Sequence, residues 1–215
     1  MKIRSSECFF DAISKDLVWR KKELSSIRSR INLAKKRQLQ DFEIRAGILL
    51  LYAHWEGFTK FSTECYLNFV KYKKLKYNEL STNLLALSLK SYIHEFETNY
   101  QHKLHVDFLN FIENDLDDRA KWNIENAIDT RSNLNSEVLE NILSVIGIPM
   151  NDFELKFNLL DEQLLKNRNS IAHGNYLLID RIEYLNIHKE IFTLMNVLSN
   201  ELMNLVTLEK YKKSA

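Results

Sequence analysis

The side chains with the clearest chemical potential stand together near the C-terminal end, in Leu164-Leu165-Lys166-Asn167-Arg168-Asn169-Ser170-Ile171-Ala172-His173-Gly174-Asn175. A helix turns by ~100° per residue, so Asn169 and His173, four apart, share a face. Arg168 lies five before His173 and projects from a neighbouring direction, with a side chain long enough to reach round. Gly174 is placed to end the helix, which puts His173 in its last turn. Histidine ordinarily changes charge near neutral pH, so it can take or give a proton during a reaction. An arginine fork beside it can grip a phosphate through two hydrogen bonds and stabilise charge building there. The two groups suffice in kind to cleave RNA through its own 2′-hydroxyl, without a metal. Spacing alone more often means a plainer pair, one that satisfies a helix end and a surface carboxylate.

His54 and Glu56 are the next candidates, flanking Trp55 in an apolar run. Residues two apart on a helix diverge by ~200°, so these two cannot serve one site. A carboxylate on an otherwise apolar helix is costly to bury unpaired. Glu56 therefore either orients Arg168 from across the fold or joins a salt bridge at the edge of the core. Asn133 and Asn135 read as loop and capping residues. His94, His102, His105 and His188 lack a zinc-binding pattern. No catalytic triad order, glycine-rich phosphate loop or HExxH pattern is present. No metal and no cofactor is therefore expected.

These groups must be positioned by helices. Among 215 residues there are four Gly and one Pro, whereas β architectures use both at their corners. The spacing predicts a first long helix from about Ser6 to the Lys35-Lys36-Arg37 run, capped by Ser5 or Ser6. Its stripe is Phe9/Phe10, Ile13, Leu17, Leu24, Ile27 and Ile31. A second runs from about Gln38 to Lys71 and is apolar on most of its circumference near Leu50, so it belongs in the centre of the core. Shorter pieces are expected around 80–90, 91–98, 105–114 and 118–128, with a hinge at the lysine-rich 71–76. Ser136 caps the next helix, which stops at Gly147 and Pro149. Another covers about 158–173, and a last long one runs from Asp180 to about Lys210. The expected fold is all-α, a helical bundle in a single domain over 1–215.

Composition supports a globular chain, 45% apolar and 27% charged. The net charge of +1 conceals an asymmetry: residues 1–80 carry 17 Lys/Arg against 9 Asp/Glu, and residues 81–215 carry 13 against 20. Three readings fit: solvated faces that happen to differ, a footprint for a polyanion, or attraction between the halves or to a twin chain. Cys8 and Cys65 read as buried thiols in a reducing cytosol. The N-terminal apolar run is too short for a signal peptide, and no stretch approaches a membrane span. A cytoplasmic protein without membrane contact is expected.

Three segments carry a family likeness. Asn167 through Gly174 resembles the R-x4–6-H motif of the HEPN superfamily, with Asn169 as the polar residue that often follows its arginine. Arg45 through Tyr66, including Tyr52-Ala53-His54-Trp55-Glu56-Gly57-Phe58, resembles the N-terminal core helix of the bacterial MAE-type branch. Arg131-Ser132-Asn133-Leu134-Asn135-Ser136 with Gly147 resembles that branch's middle signature. Together they span roughly residues 40–180. The resemblance implies a helical bundle that forms a homodimer, with two R-x4–6-H motifs meeting in one cleft. It implies RNA as substrate and metal-independent endoribonuclease activity, often in toxin–antitoxin or antiphage systems with a cognate antitoxin or defence partner. Arg168 and His173 would be catalytic, supported by Asn169 and Glu56. Some members have lost the motif and serve as RNA-binding or scaffold modules.

Overall fold

Two long helices carry the N-terminal third of the chain. In this computed structural model, which describes residues 3–90, 102–121, 127–130 and 132–213, α1 spans Ser6–Leu33 and α2 Arg37–Lys73. The Ser5 hydroxyl accepts from the Cys8 amide at 3.2 Å and caps α1. After a 3₁₀ turn at Tyr77–Glu79 come α3 (Thr82–Ser88) and α4 (His102–Asn114). Then follow α5 (Ser136–Ile146), the short α6 (Asn151–Glu154) and a π-helical turn at Leu159–Leu165. That turn leads directly into α7 (Lys166–Ala172), and α8 (Arg181–Thr207) closes the fold. The described residues hold no strand, only two isolated bridges, so the fold is all-α as expected.

α2 is the axis of the core. Ile48, Leu51, Trp55, Phe58 and Tyr66 are fully buried on it, and α1 and α8 pack along its length. α8 comes so close that a Cβ on Gly47 would stand 2.6 Å from a ring carbon of Tyr184. Any larger residue there would have to displace the buried Tyr184 ring.

The buried face of α1 departs from the expected stripe. Between Ile13 and Leu24 it passes through Asp16 and Arg20, and Leu17 is only half-buried. Buried charge is tolerated when paired and fully bonded. Arg20 Nε donates to Asp16 at 2.6 Å, Trp19 Nε1 donates to Asp16 at 2.9 Å, and the guanidinium lies over the Trp19 ring. Cys8 is exposed, contrary to the expectation of two buried thiols, because it leaves the stripe that Phe9 and Ile13 define. Burial pushes the Cys65 thiol up to about 12.

Residues 71–76 are not a free hinge. Lys74 ends α2 in the left-handed region (φ +59°), and Lys76 then bridges to Arg119 and pairs with Asp117 at 3.1 Å. The same pairing explains why the described start of the expected 118–128 helix is not helical. Ala120 N donates to Leu75 O and Tyr77 N to Asp118 O, so tertiary hydrogen bonds replace helical ones. The helix expected over 91–98 lies outside the described residues, as does the middle of 118–128.

α8 carries a titratable group into the core. His188 is 2% exposed, stacks on Phe192, and bonds the Leu24 carbonyl through Nε2 at 3.2 Å. Burial is the largest of the effects that hold its proton affinity down at about 4, against an ordinary 6.5. The unfolded chain therefore binds more protons between those values, and stability should fall as pH drops through that window. The full effect is on the order of 3 kcal/mol. Urea unfolding at pH 7 and pH 4.5 reads it, and His188→Phe, which cannot titrate, should lose distinctly less on acidification. An equal acid loss in both proteins would show that His188 is not the group responsible.

Candidate functional site

The site is assembled around the guanidinium of Arg168, which reaches from α7 onto α2. It lies over the ring of Tyr52, with Cζ 3.9 Å from the ring centroid. Its Nη1 donates to Asn169 Oδ1 at 2.6 Å and its Nη2 to the Ser132 carbonyl at 3.0 Å. The Glu56 carboxylate stands 3.9 Å from Nη2, close enough to offset charge and too far for a hydrogen bond. Tyr52 and Glu56 are four apart on α2 and so present one face to the arginine.

Residues 132–136 wall the other side. Ser132 adopts φ +51°, and its carbonyl faces Arg168. Leu134 N donates to the Tyr52 hydroxyl at 2.7 Å. Asn135, not Ser136, caps α5, accepting from Val138 N at 2.8 Å. Ser136 is instead tied down by Asp161, which accepts from both its amide and its hydroxyl. That displaced cap has a physical reason: Ser136 bonds a strong charged acceptor, which leaves capping to the preceding asparagine. Asp161 lies in the π-helical turn and Arg168 seven residues later, so one helical run grips the same loop at two points.

Tyr52 holds this arrangement together, and sequence reasoning did not single it out. Burial, with the neighbouring Glu56 carboxylate, pushes its phenol up to about 12, so it stays neutral. Tyr52→Phe would keep the ring under Arg168 and strip the Leu134 amide of its acceptor. A buried donor left unsatisfied costs about 1–3 kcal/mol, so urea unfolding should show a loss of that size. Unchanged stability would mean that the loop finds another acceptor.

His173 stands differently. It is the C-cap of α7; its amide donates to Asn169 O at 3.0 Å, and Gly174 follows at φ +79°. That conformation favours glycine, which ends the helix where the spacing predicts. His173 is exposed, and a Cβ on Gly174 would meet nothing within 4 Å, so this end of α7 opens to solvent. Among the described residues no hydrogen bond joins the His173 imidazole to Arg168, Asn169 or Glu56. The fold thus gathers Arg168, Asn169 and Glu56, and leaves His173 one turn away on the rim.

His54 points elsewhere, as helical geometry requires. It is buried against α1, bonds Glu23 at 2.6 Å, and meets Trp19 edge to face. Burial lowers its proton affinity, and Glu23 opposes that. His102 and His105 sit on α4, away from these groups, and His94 and Arg131 lie outside the described residues. No described helix is long and apolar enough to cross a membrane. Chemically, the arrangement is a fixed guanidinium on an aromatic platform, with a histidine exposed one turn further along the helix. Residues 15–204, most of the chain, match the family model described as RiboL-PSP-HEPN. No curated protein and no solved structure matches the chain.

Proposed function

The chain belongs to the RiboL-PSP-HEPN family, whose HEPN domains are generally ribonucleases or RNA-binding modules and often dimerise, and from that premise we propose that it is a metal-independent endoribonuclease. The observation that carries the proposal is the oriented guanidinium of Arg168, held by Tyr52, Asn169 and Ser132, with an exposed histidine one turn along the same helix. The two hydrogen bonds that fix it go to neutral oxygens, Asn169 Oδ1 and the Ser132 carbonyl. Here Glu56 stays at 3.9 Å, so an incoming phosphate can take the bidentate contact. Asn169 and Glu56 act as supporting residues.

In the proposed reaction the RNA 2′-oxygen attacks the adjacent phosphorus and the bond to the 5′-oxygen breaks. His173 takes the 2′-hydroxyl proton while water protonates the departing 5′-oxygen, or it protonates that oxygen while water takes the first proton. Arg168 stabilises the charge on the non-bridging oxygens. The products are a 2′,3′-cyclic phosphate, or its opened form, and a free 5′-hydroxyl. RNA carries its own nucleophile, so neither a metal nor a cofactor has a role to fill.

A single domain over 1–215 would provide one Arg168/His173 pair, and a two-fold homodimer would bring two pairs into one cleft. The three motif segments further favour the MAE-type branch, and a toxin–antitoxin or antiphage role in the cytoplasm with a partner that restrains the activity. The separation of His173 from Arg168 within one chain favours a second reading, a catalytically silent module that binds RNA or a partner protein. Incubation with end-labelled RNA and DNA of one sequence in excess EDTA separates the two. The proposal expects RNA fragments ending in cyclic phosphate and intact DNA, which lacks the 2′-hydroxyl. Binding without cleavage, or cleavage only after magnesium is restored, would favour the silent module or a different chemistry. Growth arrest on expression, relieved by changing His173, tests the toxin role.

A further inference from the structure

Arg45 is anomalous among the guanidiniums packed around α1 and α2. Arg20, Arg30 and Arg168 each have a carboxylate within 4.0 Å. Arg45 is half-buried, yet among the described residues it has neither an ion pair nor a hydrogen bond, and its Nη1 is covered and unpartnered. Its one contact is aromatic: Cζ lies 5.0 Å from the centroid of the Tyr176 ring. A guanidinium half withdrawn from water without an acceptor is costly, and an anion at its accessible N–H groups would offset that cost.

Tyr176 is the other half of the anomaly. It follows His173 by three residues, in the segment between α7 and α8, and is 75% exposed. Arg45 covers one face of its ring, and the high exposure leaves the other open. An exposed aromatic backed by a cation is a platform on which an unstacked base can lie.

Position ties the pair to the site. Arg45 and Tyr52 are seven residues apart on α2 and share a face, separated by roughly 10 Å along its axis. α2 contributes Tyr52 and Arg45, and the segment from α7 contributes Arg168 and Tyr176. Two arginine–tyrosine stacks of opposite polarity therefore line one seam, with His173 between them in sequence. The cleavage reading gives a use to the first stack only.

We propose that Tyr176 and Arg45 form a nucleotide subsite beside the Arg168/His173 centre, where the open face of Tyr176 stacks a base of single-stranded RNA and Arg45 bonds a backbone phosphate. The inference rests on the ribonuclease reading for its substrate. It assigns to the subsite the nucleotide next to the scissile phosphate. Substrate would then be held by one flanking base regardless of its identity, because every base has a stacking face.

The test uses a 2′-O-methyl RNA, which cannot be cleaved, with 2-aminopurine at successive positions. Affinity is read by anisotropy and stacking by quenching of the 2-aminopurine. Wild type should quench at one or two adjacent positions. Tyr176→Ala should abolish that quenching and weaken binding roughly 5- to 100-fold, the usual worth of one stacked base. Tyr176→Phe should retain both, and Arg45→Gln should weaken binding and flatten its salt dependence. Circular dichroism checks that the variants fold. Equal affinity and quenching in wild type and Tyr176→Ala would overturn the subsite. If RNA is cut and these variants are unaffected, the cleavage reading stands and the subsite falls. Binding with position-specific quenching but no cleavage of ordinary RNA supports the subsite and sinks the cleavage reading. No RNA binding by wild type overturns both.

Discussion

Replacing His173 by alanine is expected to lower the rate of RNA cleavage by roughly 10²–10⁴-fold, the usual worth of a positioned acid or base. The substitution is clean because His173 is exposed and contributes only its backbone amide to the fold, which alanine keeps. Urea unfolding should therefore hardly change, and affinity for uncleavable RNA should stay within a few-fold. Arg168→Lys should also cost rate, because an ammonium cannot reproduce the planar fork. Loss of one charge-assisted hydrogen bond corresponds to roughly 10- to 100-fold. Asn169→Ala should do less, since its amide oxygen only steers Nη1 of Arg168. Single-turnover cleavage of a labelled RNA in excess EDTA compares the four proteins. Full activity in His173→Ala would remove histidine from the chemistry and leave RNA binding as the better description of this fold.

How far such a site can be read from sequence depends on the range of the contacts that build it. The long helices were legible because each repeats an apolar stripe over about six turns or more, and the Gly174 stop because a glycine after a polar helix end has one common use. Local geometry also separated His54 from Glu56, and they point to α1 and to Arg168 respectively. The ring beneath Arg168 was not legible. Tyr52 and the arginine are 116 positions apart, and tyrosine in an apolar helix looks like core until a cation is found on it. The π-helical turn was hidden for another reason. Leu159, Leu160, Leu164 and Leu165 suit a wider turn as well as an ordinary one over so short a run. Asp161 announced nothing in sequence either; its function appears only once Ser136 is seen against it. The buried Asp16–Arg20 pair shows the same limit, since hydropathy assigns those positions to solvent and only a mutual bond admits them to the core.

Charge placed on one exposed face of α2 should abolish both self-association and RNA cleavage while leaving the fold intact. Leu39, Phe42 and Leu49 are 48%, 57% and 36% exposed, and with Ala46 and the exposed Ala53 they recur at spacings of three and four. That is an apolar stripe on the outer side of a core helix, and it adjoins the face that carries Arg45, Tyr52 and Glu56. A contiguous apolar strip of this kind marks an interaction surface. A second copy is the occupant expected here, because a two-fold contact along α2 would bring the stripe against itself and set two Arg168/His173 edges near the axis. Phe42→Glu with Leu49→Glu would desolvate two unpaired carboxylates at the centre of such an interface. Each costs several kcal/mol, so the dissociation constant should rise by roughly 10³-fold or more. Sedimentation at micromolar concentration should give a dimer for wild type and a monomer for the double variant. Leu208→Glu, equally exposed at the far end of α8, should change neither mass nor activity. Cleavage should disappear with the dimer although Arg168 and His173 are untouched, because one chain leaves His173 without a bond to the arginine it would have to work with. A monomeric wild type that still cuts RNA would show that one chain brings the two residues together by itself, and would end the shared-cleft reading.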